Sequence, residues 1–209
     1  MKYFKARPSS LGKLMSKSKK PGELSQTCIT YLKECYAEDK EELSSKYLTK
    51  GILLENEAID FASKVLYGGI KAYKNEDIYA NEWLVGTPDV ILENSIIDTK
   101  CSWNRKTLLD SALELNTDYE WQLRGYMMLC NKEFATLFYY LGDTPAAANY
   151  GTKISYSHLE DFERWVSYEF KRDLDKEQEI IDKVEQCREW LKNYDAEIQA
   201  KLGTRIITL

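Results

Sequence analysis

The residues of this chain best suited to chemistry are two aspartates and a lysine near the middle of the sequence. Asp89 lies in one β-like segment, and Asp98 and Lys100 lie in the next, beyond a turn at Glu93-Asn94. Because side chains two apart on a strand share a face, Asp98 and Lys100 point the same way. A two-residue turn would place Asp89 directly opposite Asp98. Opposed carboxylates repel, so the pair needs a counter-charge, and a divalent cation such as Mg²⁺ or Mn²⁺ could supply it.

This spacing predicts a site for a divalent metal and a phosphate group, but other readings stay open. A longer turn would shift the register, and the two aspartates would no longer meet. The hairpin could also be a solvated turn with an incidental ion pair between Asp98 and Lys100, because D-x-K alone is a weak motif. The choice between a metal site and a solvated turn therefore depends on the residues of neighbouring elements.

Length and composition predict a folded chain without a membrane span. The 209 residues are 44% hydrophobic and 30% charged, and no apolar run approaches the ~18 residues of a transmembrane helix. No apolar signal region follows the basic N-terminus, so we expect a cytoplasmic protein. The five cysteines form no C-x-x-C pair and are accompanied by one histidine. We therefore expect reduced thiols, with neither a zinc site nor a disulfide framework.

The charge distribution favours local binding of phosphate over a surface that coats nucleic acid. The net charge is −5, which argues against a strongly basic binding surface. The residues that precede the first acid, Glu23, nevertheless include seven lysines and arginines. Such a segment can hold phosphate locally, although a solvated loop would have the same composition.

The order of the predicted elements is helix, strands, helix, strand and helix, which indicates an α/β or α+β domain with a mixed sheet. The predicted helices span residues 9–15, 27–36, 44–66, 107–130, with a break near Asn116-Thr117, and 158–202. The predicted strands span residues 78–85, 87–92, 95–102 and 134–141. We divide the chain into a core, residues 1–156, and a helical C-terminal extension, residues 157–209, packed on that core.

Two of the predicted helices carry polar residues that could join the aspartates. Glu55 lies on or beside the apolar stripe of its helix, so its carboxylate needs a partner, either a shared metal or a lysine. Gln122 and Tyr126 are four residues apart and share a helix face. Gln122 could orient a water or a phosphate oxygen, and Tyr126 could touch a substrate. Both could equally belong to an ordinary amphipathic helix.

In this order the motifs resemble those of the PD-(D/E)XK nuclease superfamily, and within it the branch of phage lambda exonuclease and the RecB nuclease domain. The matching motifs, over roughly residues 5–141, are Arg7-Pro8-Ser9-Ser10-Leu11-Gly12-Lys13-Leu14, Gly51-x3-Glu55, Pro88-Asp89, Asp98-Thr99-Lys100 and Gln122-x3-Tyr126. Each motif is loose alone, but the ordered set is more specific. Lambda-type enzymes often carry Glu in place of Asp98, and the superfamily accepts either. The resemblance implies a restriction-endonuclease-like core with a central mixed β-sheet flanked by helices.

The resemblance also implies a role for each of these residues. The catalytic residues that it implies are Glu55, Asp89, Asp98, Lys100 and Gln122. The metal ligands that it implies are Asp89, Asp98, the backbone carbonyl of Thr99, and Glu55. The substrate-binding residues that it implies are Arg7, Ser10 and Tyr126, the first two on a terminal phosphate. The implied metal is Mg²⁺, with Mn²⁺ as a substitute, and we expect no iron–sulfur cluster because the required cysteine set is missing.

The activity implied by the resemblance is 5′→3′ exonuclease action on linear double-stranded DNA, producing single strands for phage-type recombination. The implied partners are DNA ends, further copies of the chain in a homo-oligomer such as a trimer, and a single-strand annealing protein. One alternative is an endonuclease or a Cas4-like end-processing enzyme, although the missing cysteine cluster speaks against Cas4. Another is a non-catalytic DNA-binding or assembly module, against which the intact set of acidic residues and lysine speaks.

Overall fold

A four-stranded mixed sheet with helices on both faces carries most of the predicted site. The computed structural model describes residues 3–38 and 45–204; residues 1–2, 39–44 and 205–209, which include parts of the predicted core and extension, lie outside the described residues. The strands are β1 Tyr79–Ala80, β2 Val85–Gly86, β3 Val90–Ile91, β4 Ser95–Cys101, β5 Phe134–Tyr140 and β6 Trp165–Lys171. The helices are α1 Leu11–Met15, α2 Gln26–Ala37, α3 Lys46–Leu66, α4 Arg105–Leu113, α5 Thr117–Cys130 and α6 Leu174–Thr204. Short 3₁₀ turns cover Pro8–Ser10, Ala146–Ala148 and Asp161–Glu163.

The hairpin of β3 and β4 has the predicted register. The strands are antiparallel, and Ile91 pairs with Ile96. Residues 93–94 are therefore the two-residue turn, and the same register places Asp89, the residue before β3, opposite Asp98. The predicted facing pair is confirmed at the level of the backbone.

The sheet order is β3-β4-β5-β6, with β4 and β5 parallel and the two outer pairs antiparallel. α4 and α5 form the crossover that a parallel pair requires. Neighbouring residues of β4 point to opposite faces: Ile96 packs in the cluster that contains Leu123 of α5, and Ile97 in the cluster that contains Ile59 of α3. β4 is therefore covered by α5 on one face and by α3 on the other, so both helices can present side chains beside it.

The break predicted near Asn116-Thr117 separates α4 from α5. The Asn116 side chain accepts a hydrogen bond from Asp118 N at 2.9 Å and caps the first turn of α5. Such a cap contributes about 1 kcal/mol and fixes where the helix begins. The start of α5 in turn determines which of its residues face β4.

The helix predicted from residue 158 is wrong in its first part, because Trp165–Lys171 form β6 and α6 begins only at Leu174. The aromatic and β-branched residues of this segment favour a strand. They pair with β5 along its full length, from Phe134 opposite Lys171 to Tyr140 opposite Trp165. β6 lies beyond residue 156, yet it completes the core sheet.

α6 packs on the core through one narrow stripe. Ile180, Val184, Cys187 and Leu191 are buried in a cluster with residues of α1 and α2. Their spacing of three and four residues is that of one helix face. Within residues 3–38 and 45–204, no helix is both long enough and apolar enough to cross a lipid bilayer.

Candidate active site

Asp89 and Asp98 are held by different partners although they face each other across the hairpin. Asp89 Oδ2 accepts hydrogen bonds from the backbone N and the Oγ1 of Thr99, at 2.8 and 3.0 Å. Asp98 is only 1% exposed, and its Oδ1 accepts a hydrogen bond from Gln122 Nε2 at 2.7 Å. Its Oδ2 lies 2.5 Å from Lys100 Nζ. The predicted D-T-K motif and Gln122 are therefore brought together around one buried carboxylate.

The charge of Asp98 changes the protonation of Asp89. Burial and the charge of Asp98 raise the pKa of Asp89 to about 7. Burial alone would lower the pKa of Lys100, but the charges of Asp98 and Asp89 outweigh it and raise that pKa above its ordinary value. Lys100 therefore stays a cation, and the site still holds enough negative charge to make a second cation favourable.

Asp98 Oδ2 could coordinate a metal ion in addition to its ion pair with Lys100. The atom is buried, and among the described residues no donor meets it with hydrogen-bond geometry. Lys100 Nζ, 2.5 Å away, forms an ion pair with it. Since buried polar atoms are normally paired, this oxygen is suited to a metal ion.

The donor set around the hairpin fits a divalent cation with few protein ligands. Mg²⁺ commonly binds through one or two carboxylates and keeps several waters. Asp89 and Asp98 supply the two carboxylates, and the backbone carbonyl of Thr99 directly follows Asp98 in sequence. Within the described parts of the chain, no group of three His, Cys, Asp or Glu side chains is arranged to hold a metal. The predicted role of Glu55 as a further metal ligand stays a prediction.

Glu55 has a lysine partner, one of the two alternatives that its position predicts. Its Oε2 lies 2.7 Å from Lys74 Nζ, and this hydrogen bond raises the pKa of Lys74. The side chains are 25% and 40% exposed, so both can reach solvent or a ligand. The next residue, Asn75, donates from its backbone N to Asp89 O at 2.7 Å and from Nδ2 to Pro88 O at 3.0 Å.

Lys74 and Asn75 were not predicted from the sequence. They lie in an irregular segment between α3 and β1 and belong to no motif or periodic pattern. Their contacts nevertheless hold the Pro88-Asp89 backbone and the Glu55 carboxylate in place.

Glu55, Asp89, Thr99 and Lys100 line one open cleft of about 460 Å³. Its other walls come mainly from α3, with one aromatic residue from α5. These wall residues are Tyr47, Leu48, Gly51, Ile52, Cys101 and Tyr119. The cleft brings the acidic residues and the lysine within reach of one ligand.

Gln122 and Tyr126 lie behind this cleft and do not line it. Gln122 is buried, and its amide holds Asp98. Tyr126 is 5% exposed and donates from its hydroxyl to Thr87 O at 3.1 Å. Its burial raises the pKa of its hydroxyl. The predicted contact of Tyr126 with a substrate stays a prediction, and its burial does not support it.

Arg7 and Ser10 line a different cavity, of about 1140 Å³. This cavity shares no lining residue with the cleft of Asp89 and Lys100. Pro8, beside Arg7, packs closely against Gly86, because a β-carbon on Gly86 would lie 2.9 Å from Pro8 Cδ. The predicted phosphate-binding residues are therefore placed beside the segment that leads to Asp89, but not in the cleft of Asp89 and Lys100.

Solved exonuclease structures share this fold. The phage related exonuclease from Haemophilus somnus 129PT aligns with a TM-score of 0.80 at 25% identity, over 94% of this chain and 97% of that chain. The alkaline exonuclease LHK-Exo from Laribacter hongkongensis aligns with a TM-score of 0.69 at 15% identity, over 97% of this chain and 95% of that chain. The chain has an exonuclease fold of the PD-(D/E)XK type. LHK-Exo in complex with dAMP aligns equally well, with a TM-score of 0.69 at 16% identity.

The exonuclease fold confirms the resemblance inferred from the motifs. No family model matches the chain, and no curated protein matches its sequence significantly. The structural neighbours support nuclease activity and the general use of a divalent metal by this fold. The arrangement of Asp89, Asp98 and Lys100 gives the exonuclease fold a site with the chemistry to act on a phosphodiester.

Proposed function

We propose that this chain is a Mg²⁺-dependent deoxyribonuclease that degrades linear double-stranded DNA in the 5′→3′ direction. The observation that carries the proposal is the buried Asp98, which faces Asp89 across the hairpin and is paired with Lys100. The exonuclease fold supports the reaction class. The open cleft in front of these residues supports a polymeric substrate, because it admits a strand from solvent.

The site residues have separate tasks in this reaction. Asp89 and Asp98, with the Thr99 carbonyl, would hold the divalent cation, which when bound supplies positive charge to the scissile phosphate and acidity to a nearby water. Gln122 keeps the Asp98 carboxylate oriented through its 2.7 Å hydrogen bond. Lys100 is a cation at the floor of the cleft and stabilises the negative charge that develops on the phosphate. In the reaction the oxygen of a water bonds to phosphorus as the bond from phosphorus to the 3′ oxygen breaks, the 3′ oxygen takes up a proton, and a 5′-phosphate is left on the shortened strand.

Glu55 and Lys74 form the remaining charged pair of the cleft. Their 2.7 Å contact balances the negative charge of Glu55 with the positive charge of Lys74 in the free protein. Because both side chains are partly exposed, a phosphate entering the cleft can attract Lys74 and release Glu55 toward a cation. This exchange would give Glu55 the predicted metal role only when substrate is present.

The cavity of Arg7 and Ser10 is suited to the terminal 5′-phosphate of the degraded strand. Arg7 is exposed and can bind two phosphate oxygens at once. Ser10 offers a hydroxyl, and Lys5 lines the same cavity. A separate site for the terminal phosphate would favour digestion from an end over cleavage within a strand.

We also infer that the working form is a homo-oligomer, such as a trimer, that surrounds the DNA. The net charge of −5 leaves the chain without the basic surface that would retain DNA during repeated cleavage. Enclosure by several subunits would retain it without such a surface. Such an enzyme would act in the cytosol and pass its single strands to an annealing protein for recombination.

Digestion of end-labelled DNA tests the proposed function. A linear duplex with a 5′-phosphate is labelled on either its 5′-terminal or its 3′-terminal nucleotide, and a closed circle of the same sequence is the control. We expect early release of the 5′ label as mononucleotide with Mg²⁺, late release of the 3′ label, and no release with EDTA. Cleavage of the circle would support the endonuclease alternative, and inertness toward every substrate would support the non-catalytic one.

A matched pair of variants tests the terminal-phosphate site. Arg7→Ala is expected to remove any preference for a 5′-phosphate over a 5′-hydroxyl end. Lys17→Ala, which removes an exposed positive charge that does not line the cavity, should keep the preference. Equal rates of the wild-type protein on the two ends would remove the role proposed for Arg7 and Ser10.

A further inference from the structure

A second cleft adjoins the candidate active site, and the proposed reaction assigns no ligand to it. Its volume is about 550 Å³, and small-molecule sites commonly have volumes of roughly 300–1,000 Å³. Lys100, Cys101 and Tyr119 line both this cleft and the catalytic one. The two clefts therefore meet at Lys100, the residue assigned to the scissile phosphate.

The lining of the second cleft combines aromatic rings with uncharged hydrogen-bonding groups. The aromatic residues are Trp103, Tyr119 and Tyr139. The uncharged polar residues are Ser102, Thr107, Ser111, Asn116 and Thr117. Aromatic rings stack on the face of any nucleobase, and hydroxyl and amide groups can bond its edges or the sugar. This composition suits a nucleoside.

Ser102, on the wall of this cleft, is a second observation that points to a ligand. The residue is 7% exposed, and among the described residues its hydroxyl has no hydrogen-bond partner. Its backbone is fixed on both sides, since its N donates to Tyr140 O at 2.7 Å and its carbonyl accepts from Lys50 Nζ at 2.8 Å. A buried hydroxyl without a partner is unfavourable, and because Ser102 lines this cleft, a ligand bound there can supply the partner.

The charges of this cleft limit its ligand to one phosphate. Lys100 stands where the two clefts meet, whereas Asp110 and Glu114 line the second cleft beyond it. Asp110 is paired with the exposed Lys106 at 2.6 Å. The negative charge of Glu114 and Asp110 disfavours a second phosphate inside the cleft.

We infer that the second cleft, which we call the nucleoside cleft, binds the nucleoside that is joined to the scissile phosphate through its 5′ oxygen. The phosphate would lie beside Lys100, the base would stack on Trp103 or Tyr119, and the hydroxyl of Ser102 would bond the base or sugar. The inference rests on the proposed function. It goes further by assigning the nucleotide that becomes the new 5′ end to a defined site, and a deoxynucleoside 5′-monophosphate reproduces that nucleotide.

Calorimetric titration with two small probes tests the nucleoside cleft. The probes are dAMP and 2-deoxyribose 5-phosphate, which differ only by the base, and both are titrated into the full chain with Mg²⁺. Stacking of one base predicts that dAMP binds roughly 5- to 100-fold more tightly. Trp103→Leu should reduce this preference. Ser102→Ala should weaken dAMP binding about 2- to 10-fold without lowering Tm, because it removes a hydroxyl that has no partner in the free protein.

Thr144→Val is the matched control for Ser102→Ala. Thr144 is 0% exposed, and its hydroxyl likewise has no partner among the described residues, but it lines neither cleft. The control should therefore leave dAMP binding unchanged. Equal binding of the two probes by the wild-type protein, or equal loss of dAMP binding in the two variants, would overturn the inference.

The titration also separates this inference from the proposed function, because it requires no hydrolysis. A chain that prefers dAMP but leaves DNA intact would refute the proposed function and keep the nucleoside cleft. A chain that digests DNA but does not distinguish the probes would refute the nucleoside cleft alone.

Discussion

Replacing Asp89 with asparagine should stabilise the metal-free protein while it stops the proposed reaction. Asparagine has nearly the same volume and keeps an oxygen that can accept the hydrogen bonds from Thr99. It lacks the negative charge that repels Asp98. The substitution therefore removes an unfavourable charge and retains the local contacts.

The size of this effect follows from the raised pKa of Asp89. The pKa is about 7 in the folded protein, against an ordinary value of 3.8 for aspartate. At 1.36 kcal/mol per pKa unit, the difference corresponds to at most about 4 kcal/mol, and we expect about 2–4 kcal/mol because the side chain is partly exposed. The free energy of unfolding should rise by that amount in Asp89→Asn at a pH above both values.

The sign of the pH dependence is set by which state holds the proton. The folded protein keeps Asp89 protonated at pH values where the unfolded chain has lost the proton. The stability that this proton provides is complete below about pH 4, declines as the pH rises to about 7, and is absent above that. In Asp89→Asn this decline should be missing.

Urea unfolding in EDTA, at about pH 5 and about pH 8, measures the effect. Asp60→Asn, on the exposed face of α3, is the control and should retain the wild-type pH dependence. Added Mg²⁺ should stabilise the wild-type protein at the higher pH more than Asp89→Asn, since a ligand stabilises the state that binds it. An Asp89→Asn variant no more stable than wild type at about pH 8 would refute the electrostatic reasoning.

Three further variants test the surroundings of the site. Gln122→Ala removes the donor to Asp98 Oδ1 and should lower the rate of DNA hydrolysis about 10- to 100-fold with little change in secondary structure by circular dichroism. Lys50→Met leaves two carbonyls after β4 without their donor and should cost about 1–3 kcal/mol in urea unfolding, whereas the exposed Lys106→Met should cost under about 0.5. Backbone and hydroxyl donors lower the pKa of Asp143 to about 2 despite its burial, so the stability it provides is lost as the pH falls from about 5 toward 2. Asp143→Asn should flatten that acid limb by about 1–2 kcal/mol.

The central hairpin could be predicted from the sequence because its signals are local. A two-residue turn and a period of two fix which residues of β3 and β4 face each other, and Ile91 does pair with Ile96. The position of Glu55 beside the buried face of α3 was predictable for the same reason, since helix periodicity is regular over the whole helix.

The contacts that refine the site could not be predicted, because they join irregular segments to distant elements. Lys74 reaches Glu55 and Asn75 reaches Asp89 from a stretch with no periodic pattern. The sequence predicts helix over the residues of β6 because a few apolar residues fit either period, whereas their strand state depends on pairing with β5. In both cases the structure is determined by tertiary contacts that the local sequence pattern does not specify.

The most direct test of the account is the single-turnover rate of hydrolysis of a linear 5′-phosphorylated duplex with Mg²⁺. The account predicts that Lys100→Met and Asp98→Asn each lower this rate about 10²- to 10⁴-fold, since the first removes a positive charge beside the reacting phosphate and the second removes a ligand of the divalent cation. Lys64→Met, which removes an exposed lysine that pairs with Asp161 and lines neither cleft, should hydrolyse at the wild-type rate. Hydrolysis by both site variants at the wild-type rate would contradict the claim that this hairpin carries the reaction.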